Sequence, residues 1–332
     1  MLSNRQNQIL KMIVEYYVKQ AKPVSSKQIC KKLKCSSATV RSEMANLENE
    51  GLLEKTHTSS GRIPSEEGYR YYVDHLLEPK KMNGEDMLKL QIIFHNQSLD
   101  LSDCIKKSLQ VVSDMTSYTA VVLGTASHEN LLKEVSVVPL SDSQVIVIIV
   151  TDKGKVEHKT LNLDGVNVAD VKKTVDLINK LVVGTPIDEV SAKLEFEVKP
   201  IIGNYVFQHE KLYDAIYNVF NDFVNPDINV VGRTKFLEQP EFSDVTKIKN
   251  LFSKLDNDDL IREIKHDNSN NIEVYIGSEN SIDEDVTVIK TNFKSSSMDG
   301  TIAIIGPKRM EYDRVMSMLE YIKENIEGDA SS

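Results

Sequence analysis

At 332 residues, with 40% hydrophobic and 27% charged side chains, the chain has the composition of a globular protein of two or three domains, not of a disordered one. Cys30, Cys35 and Cys104 form no even framework, the opening Met-Leu-Ser-Asn-Arg-Gln lacks the apolar core of a secretion signal, and the longest apolar run, Val145 to Val150, is far short of the roughly 20 residues a membrane span needs. These features argue against a disulfide-stapled secreted domain and a membrane protein, and lead us to expect a reducing cytoplasm. The formal net charge of −10 argues against nucleic acid only until it is counted by region. Residues 1–76 carry 12 Lys and Arg against 8 Asp and Glu, whereas the remainder carries 28 against 42, so a modestly basic head precedes an acidic body.

Taken in chain order, Ser3 and Gln6 have capping-box spacing, and Ile9, Leu10, Ile13, Val14 and Tyr17 recur at helical spacing behind them. Ser25 and Gln28 repeat the capping logic after Pro23 for a short second helix bearing Ile29, Cys30 and Leu33. A third helix is expected to start at Ser36 or Ser37 and to end at Gly51. Leu52 to His57 then reads as a strand, Thr58 to Gly61 as a turn, and Arg62-Ile63 as a returning strand stopped by Pro64. This order is a helix-turn-helix followed by a wing, a unit that presents one helix to the DNA major groove. Ser65 is expected to cap a fourth helix running to about Glu78, after which Pro79 to Gly84 reads as a linker.

Beyond the linker the pattern predicts helices near Glu85 to His95 and Ser102 to Met115, then strands at Thr119 to Leu123, Leu132 to Leu140, Gln144 to Val150 and Lys155 to Leu161. The last three are expected to pair as hairpins. Helices follow at about Val168 to Val183, Asp188 to Glu197 and Glu210 to Asn225. Strands return at Asn271 to Gly277, Val286 to Phe293 and Thr301 to Ile305, before a closing helix from Met310 to Ile326. Two β-containing stretches around a helical block read as one α+β domain interrupted by an inserted module.

On the third helix, Val40, Met44 and Leu47 lie at i, i+4 and i+7 and should face the core. That leaves Thr39, Ser42, Glu43 and Asn46 on another face, with Ser37 and Arg41 at its edge. Arg can pair with guanine, Asn with adenine, and Ser or Thr with phosphate oxygens, so Ser36, Ser37, Thr39, Arg41, Ser42 and Asn46 are the candidate DNA contacts of this helix. The wing adds Lys55, His57, Ser59, Ser60 and Arg62, with no carboxylate between Lys55 and Pro64; Arg62 is the residue suited to a narrow minor groove.

Enzyme chemistry finds no support. Gly306-Pro-Lys-Arg lacks the spacing of a phosphate-binding loop and the hydroxyl residue after the Lys, and the histidines form no HExxH pair. Cys30, Cys35 and His57 do not have zinc-knuckle spacing, and Asp283-Glu-Asp285 reads as a solvated turn. No catalytic residue, metal or cofactor is expected.

Pro23-Val-Ser-Ser-Lys27, Ser37-Ala-Thr-Val-Arg41, Met44-Ala-Asn-Leu-Glu48, Gly51-Leu-Leu53, His57-Thr-Ser-Ser-Gly-Arg-Ile-Pro64 and Gly68-Tyr-Arg-Tyr-Tyr-Val73 together resemble the HrcA family of heat-inducible transcription repressors. Gly232 to Phe242, Ile276-Gly-Ser-Glu-Asn280 and Gly306-Pro-Lys-Arg-Met-Glu-Tyr312 resemble that family's downstream signatures, so the likeness covers nearly the whole chain. The resemblance implies an α+β protein with a winged-helix domain at residues 1–78, a linker and connecting helix at 79–97, a GAF-like α/β domain at 98–140 and 230–328, and an inserted dimerising domain at 141–229. It also implies a homodimer on a double-stranded inverted-repeat operator upstream of chaperone genes, with activity modulated by the GroEL chaperonin. The alternative is a regulator that senses a small molecule in the GAF-like domain.

Overall fold

A computed structural model describes the chain except residues 1, 57–60, 79–81, 127–129, 164–166, 203–212, 215, 221–226, 266–268, 270, 296–297 and 329–332. The expected wing turn at 58–60 and the start of the linker therefore lie outside the described residues. The chain divides into two compact units, one formed by residues 1–122, 228–292 and 301–325, the other by 123–227, 293–300 and 326–332.

The first unit begins with the head. Helix α1 (Asn4–Gln20) is held at its start by a full capping box, Ser3 Oγ accepting from the Gln6 amide at 3.2 Å and Gln6 Oε1 from the Ser3 amide at 2.7 Å. It buries Ile9, Leu10, Ile13 and Val14, the stripe that the 3.6-residue period predicts. Gln28 reaches back to the Ser25 amide at 2.8 Å to start α2 (Ser26–Leu33), and Ser36 accepts from the Thr39 amide at 3.1 Å to start α3 (Ser37–Asn49). Strands β1 (Leu53–Lys55) and β2 (Arg62–Pro64) pair antiparallel with Lys55 opposite Arg62. Val24 bridges Arg62 on the other side through amide-to-carbonyl bonds of 2.8 and 2.9 Å, which locks the wing to the entry of α2.

Two helices of the head end on non-glycine residues in the left-handed region, Ala21 at φ 49° and Lys34 at φ 51°. A Cβ is disfavoured there, and glycine is not. Ala21→Gly should therefore stabilise the protein by about 1 kcal/mol, because relief of the Cβ crowding outweighs the entropy glycine adds to the unfolded chain. A urea midpoint that rises checks this; one that falls contradicts it.

Ser65 caps α4 (Glu66–Tyr71), accepting from the Gly68 amide at 3.0 Å. The expected single helix to about Glu78 is not continuous: residues Tyr72–Leu76 widen into a π-helical turn, at the point where Tyr72 is buried near the Tyr312 ring, centroids 6.4 Å apart. After Asn83, helix α5 (Gly84–Phe94) and helix α6 (Leu101–Thr116) follow where expected.

A five-stranded sheet comes next in the order β7-β3-β10-β9-β8, from β3 (Thr119–Ala126), β7 (Asp227–Val231), β8 (Glu273–Ile276), β9 (Val286–Lys294) and β10 (Met298–Pro307). The strand β7 and the helix Val245–Leu255 were not foreseen in the sequence. The closing helix Tyr312–Gly328 buries Val315, Met318, Leu319 and Ile322.

In the second unit, β4 (Leu132–Ser141), β5 (Gln144–Thr151) and β6 (Val156–Asn162) form an antiparallel three-stranded sheet, the hairpins that the Val and Ile runs predict. Its face at Val145, Val147 and Ile149 joins Val171, Val175, Ile178 and Val182 of α7 (Val168–Val182) in one core. Asn179 of α7 clips β4, bonding both the Val135 amide at 2.8 Å and its carbonyl at 2.7 Å. β4 and β5, on either side of residue 140, pair with each other, and the second compact unit begins at Leu123. The helix expected at Asp188 to Glu197 is a succession of short 3₁₀, α and π turns from Ile187 to Ile202. The helix expected at 210–225 is described only in part, where Tyr213, Ile216, Val219 and Phe220 are buried. Among the described residues, no helix is long and apolar enough to cross a membrane.

Candidate nucleic-acid interface

Helix α3 buries Val40, Met44 and Leu47, as its period requires, and exposes Ala38, Arg41, Ser42, Asn46 and Asn49. Ser36 is exposed at its start, while Ser37 and Thr39 are half-buried. Of the face named from the sequence, Arg41, Ser42 and Asn46 are exposed, whereas Ser37, Thr39 and Glu43 are half-buried, the two hydroxyls being partly used inside the domain. Ser36 and Thr39 share a bond at 2.8 Å, and Ser37 Oγ meets Ser26 Oγ at 3.2 Å. Ser26 also accepts from Arg41 Nε at 3.3 Å, so a buried serine of α2 steadies the base of an exposed guanidinium.

The electrostatics of the helix are set from outside it. Its two carboxylates, Glu43 and Glu48, would repel phosphate if left uncompensated. Glu43 instead lies 3.8 Å from the guanidinium of Arg5 on α1, and Glu48 accepts from Arg62 Nε at 2.8 Å and Nη2 at 2.6 Å. The first pair is loose and exposed, and its worth lies in local charge balance, not in stability.

Arg62, expected to serve a minor groove, is thus engaged within the domain, with its side chain only 15% exposed. Reaching a groove would require it to leave Glu48. Lys55 stands exposed on β1, whereas His57, Ser59 and Ser60 lie outside the described residues. The sequence reading also passed over Lys27, Lys31 and Lys34, all exposed on or just after α2. The i, i+4 spacing of Lys27 and Lys31 was the available signal, since it sets a cationic edge apart from Ile29.

The head is anchored to the remainder of its unit by the signatures at Ile276 to Asn280 and Gly306 to Tyr312. The Glu66 carboxylate accepts from the Ser278 amide at 2.9 Å, from the Ser278 hydroxyl, and from Lys308 at 3.5 Å. Burial acts to raise its pKa, but the hydrogen bonds from Ser278 and the charge of Lys308 prevail and hold it below the ordinary carboxylate value. Gly277, at φ 55°, is the residue that admits this carboxylate, because a Cβ there would lie 2.0 Å from Glu66 Oε2. Arg70 donates to Glu279, to the Val274 carbonyl and to Asp74, and Arg309 donates to the Val18 carbonyl at 3.1 Å, to Gln239 at 2.9 Å and to Glu241.

A family model described as a winged helix-turn-helix transcription repressor, HrcA DNA-binding, matches residues 1–73, and another described as the HrcA protein C terminal domain matches residues 102–316. The chain belongs to the HrcA family of heat-inducible transcription repressors. Curated relatives agree with this family across its length: the chain is 36% identical to the heat-inducible transcription repressor HrcA of Bacillus pumilus (strain SAFR-032), covering 100% of this chain and 99% of the relative. It is 39% identical to the protein of the same name from Lysinibacillus sphaericus, covering 98% and 97%. A crystal structure described as that of a hypothetical protein shares the fold, with a TM-score of 0.65 at 22% identity over 99% of this chain and 98% of that one. Members of this family are named as transcription regulators, so the winged helix is a DNA-binding domain and the protein is a repressor, not an enzyme.

Proposed function

We propose that this HrcA-family repressor binds, as a homodimer in the bacterial cytoplasm, a double-stranded inverted-repeat operator upstream of chaperone genes, with each α3 in a major groove. In this reading Arg41 and Asn46 contact base edges, Ser36, Ser37, Thr39 and Ser42 position the helix on phosphates, and Lys55, His57, Ser59 and Ser60 act from the wing, while Arg62 stays on Glu48 and reaches a groove only by leaving it. Lys27, Lys31 and Lys34 extend the phosphate contacts from α2. The observation that carries the reading is the exposed Arg41, Ser42, Asn46 face on a helix whose carboxylates are each answered by an arginine from elsewhere in the head.

The body is read as a GAF-like domain carrying an inserted dimerising module, here the unit that begins at Leu123. The family resemblance supports modulation by the GroEL chaperonin, which would restore active repressor when not occupied by unfolded protein. Arg41→Ala should weaken operator binding by about 1 to 3 kcal/mol and relax specificity at one base pair, as expected for loss of a bidentate base contact. Binding titrations against operators substituted one position at a time measure both effects. Uniform weakening at every position would instead make Arg41 a phosphate contact, and unchanged binding would remove it from the interface.

A further inference from the structure

We infer that Glu66, Arg70 and Arg309 are positioning residues for DNA recognition: they hold the winged-helix head at a fixed orientation on the body and so set the separation of the two reading helices in the dimer. The inference rests on the proposed inverted-repeat reading. Its basis is where the ionic groups lie. Two signatures distant in sequence, at Ile276 to Asn280 and Gly306 to Tyr312, place Ser278, Glu279, Lys308 and Arg309 against the head, and a third, at Gly232 to Phe242, supplies Gln239 and Glu241 to hold Arg309.

The attachment acts on two sides of the head at once. From α4, Glu66 and Arg70 carry opposite charges one turn apart and meet complementary groups on successive residues, Glu66 taking the Ser278 donors and Arg70 the Glu279 carboxylate. From α1, the carbonyl of Val18, in the last turn, accepts from Arg309 Nη1, whose other nitrogens are held by Gln239 and Glu241. A planar guanidinium with its donors shared among three partners fixes direction as well as distance. The rings of Tyr69 and Tyr312, 6.1 Å between centroids, fill the space on the same side of α4. A head swinging on a linker would need none of these bonds. One fixed at two helices carries α3 in a set direction, because α1 and α3 share the buried core of Ile9, Ile13, Val40 and Leu47.

For a dimer on two half-sites, a rigid head is the difference between one permitted spacing and many. Simultaneous engagement gains affinity only when the geometry of the connection matches the span, and half-site separation follows the helical repeat of DNA. The test uses the full-length protein and duplexes carrying the inverted repeat with its native spacing, with the spacing lengthened by about 2 and about 5 base pairs, and with one half-site alone. Wild type should lose ~10-fold or more in affinity on the half-turn insertion. Arg309→Gln should bind the native duplex several-fold more weakly, bind the single half-site as wild type does, and retain no more than ~3-fold discrimination among spacings.

Glu66→Gln removes the charge from the other side with little change of shape and should move in the same direction, so the conclusion does not depend on Arg309→Gln folding; thermal unfolding of both variants verifies their fold. Spacing discrimination equal to that of wild type in a folded variant would overturn the inference. A wild-type protein that binds all spacings and the single half-site alike would instead overturn the inverted-repeat reading beneath it.

Discussion

Replacing Gly68 with alanine should destabilise the protein by about 3 kcal/mol, even though alanine is the better helix former by roughly 1 kcal/mol. The reason is space. An alanine Cβ would lie 2.0 Å from the carbonyl oxygen of Leu52 and 3.1 Å from its carbon, both backbone atoms, and 3.3 Å from Ser65 Oγ. Neither side can retreat cheaply. The first turn of α4 is bound to the turn it approaches, Ser65 donating from its amide to the Leu52 carbonyl at 3.2 Å and from its hydroxyl to the Gly51 carbonyl at 2.6 Å, while accepting from Gly68 itself. Movement that accommodates the methyl group breaks bonds that tie the turn before β1 to the start of α4, and α4 carries Glu66 and Arg70. Urea unfolding of Gly68→Ala against wild type measures the effect, and a change within about 0.5 kcal/mol would show that this contact is not under the constraint described.

A comparable loss is expected at the start of α5. Asp86 is 2% exposed and receives two parallel bonds from Arg314 of the closing helix, Nε at 2.8 Å and Nη2 at 3.1 Å, with the Asn83 amide group adding a third at 2.6 Å. Removing one partner of such a pair leaves a guanidinium without its carboxylate, so Asp86→Ala should cost about 3 kcal/mol near neutral pH, at the lower end for buried pairs because Arg314 retains some solvent contact. The hydrogen bond from Arg314 is the main cause that holds the Asp86 carboxyl below its ordinary value, against the opposing effect of burial. A depressed carboxylate contributes stability that is complete above the unfolded-state value of about 4 and is lost as pH falls through the lower folded-state value. The stability gap between wild type and Asp86→Asn should therefore be widest above about pH 5 and close in stronger acid. A gap that is constant from pH 7 down to pH 2 would contradict the ion-pair account.

Much of the head was legible in sequence because its determinants are local. Ser3 with Gln6, Ser36 before α3, and Ser65 before α4 are caps that act within three residues, and the apolar stripes of α1 and α3 repeat every turn. Elements fixed by remote neighbours were harder to read. The edge strand β7 is five residues long and is recognisable only beside β3. The helix Val245–Leu255 buries just Leu251 and Leu255 and leaves Val245 in solvent; its one strong local signal was Asp244, which accepts from the Thr246 amide at 2.7 Å. The pairing of β4 with β5 across residue 140 is of the same kind, since a strand's sequence states that it will pair but not to which sheet it belongs.

The candidate interface divides along the same line. That Arg41, Ser42 and Asn46 would be exposed followed from the positions of Val40, Met44 and Leu47 one turn apart. That Glu43 and Glu48 would be neutralised by Arg5 and Arg62 did not, because those partners come from other elements. The downstream signatures matched the family resemblance, but their placement against α1 and α4 emerges only in three dimensions.

The most direct test of the central claim is a protection footprint of the full-length protein on the chaperone-gene promoter of its own genome, run beside Arg41→Ala and Asn46→Ala. The account predicts one protected inverted repeat, with protection weakened in both variants and base preference altered at the positions these side chains face. Absence of a protected repeat, or protection identical in all three proteins, would contradict it.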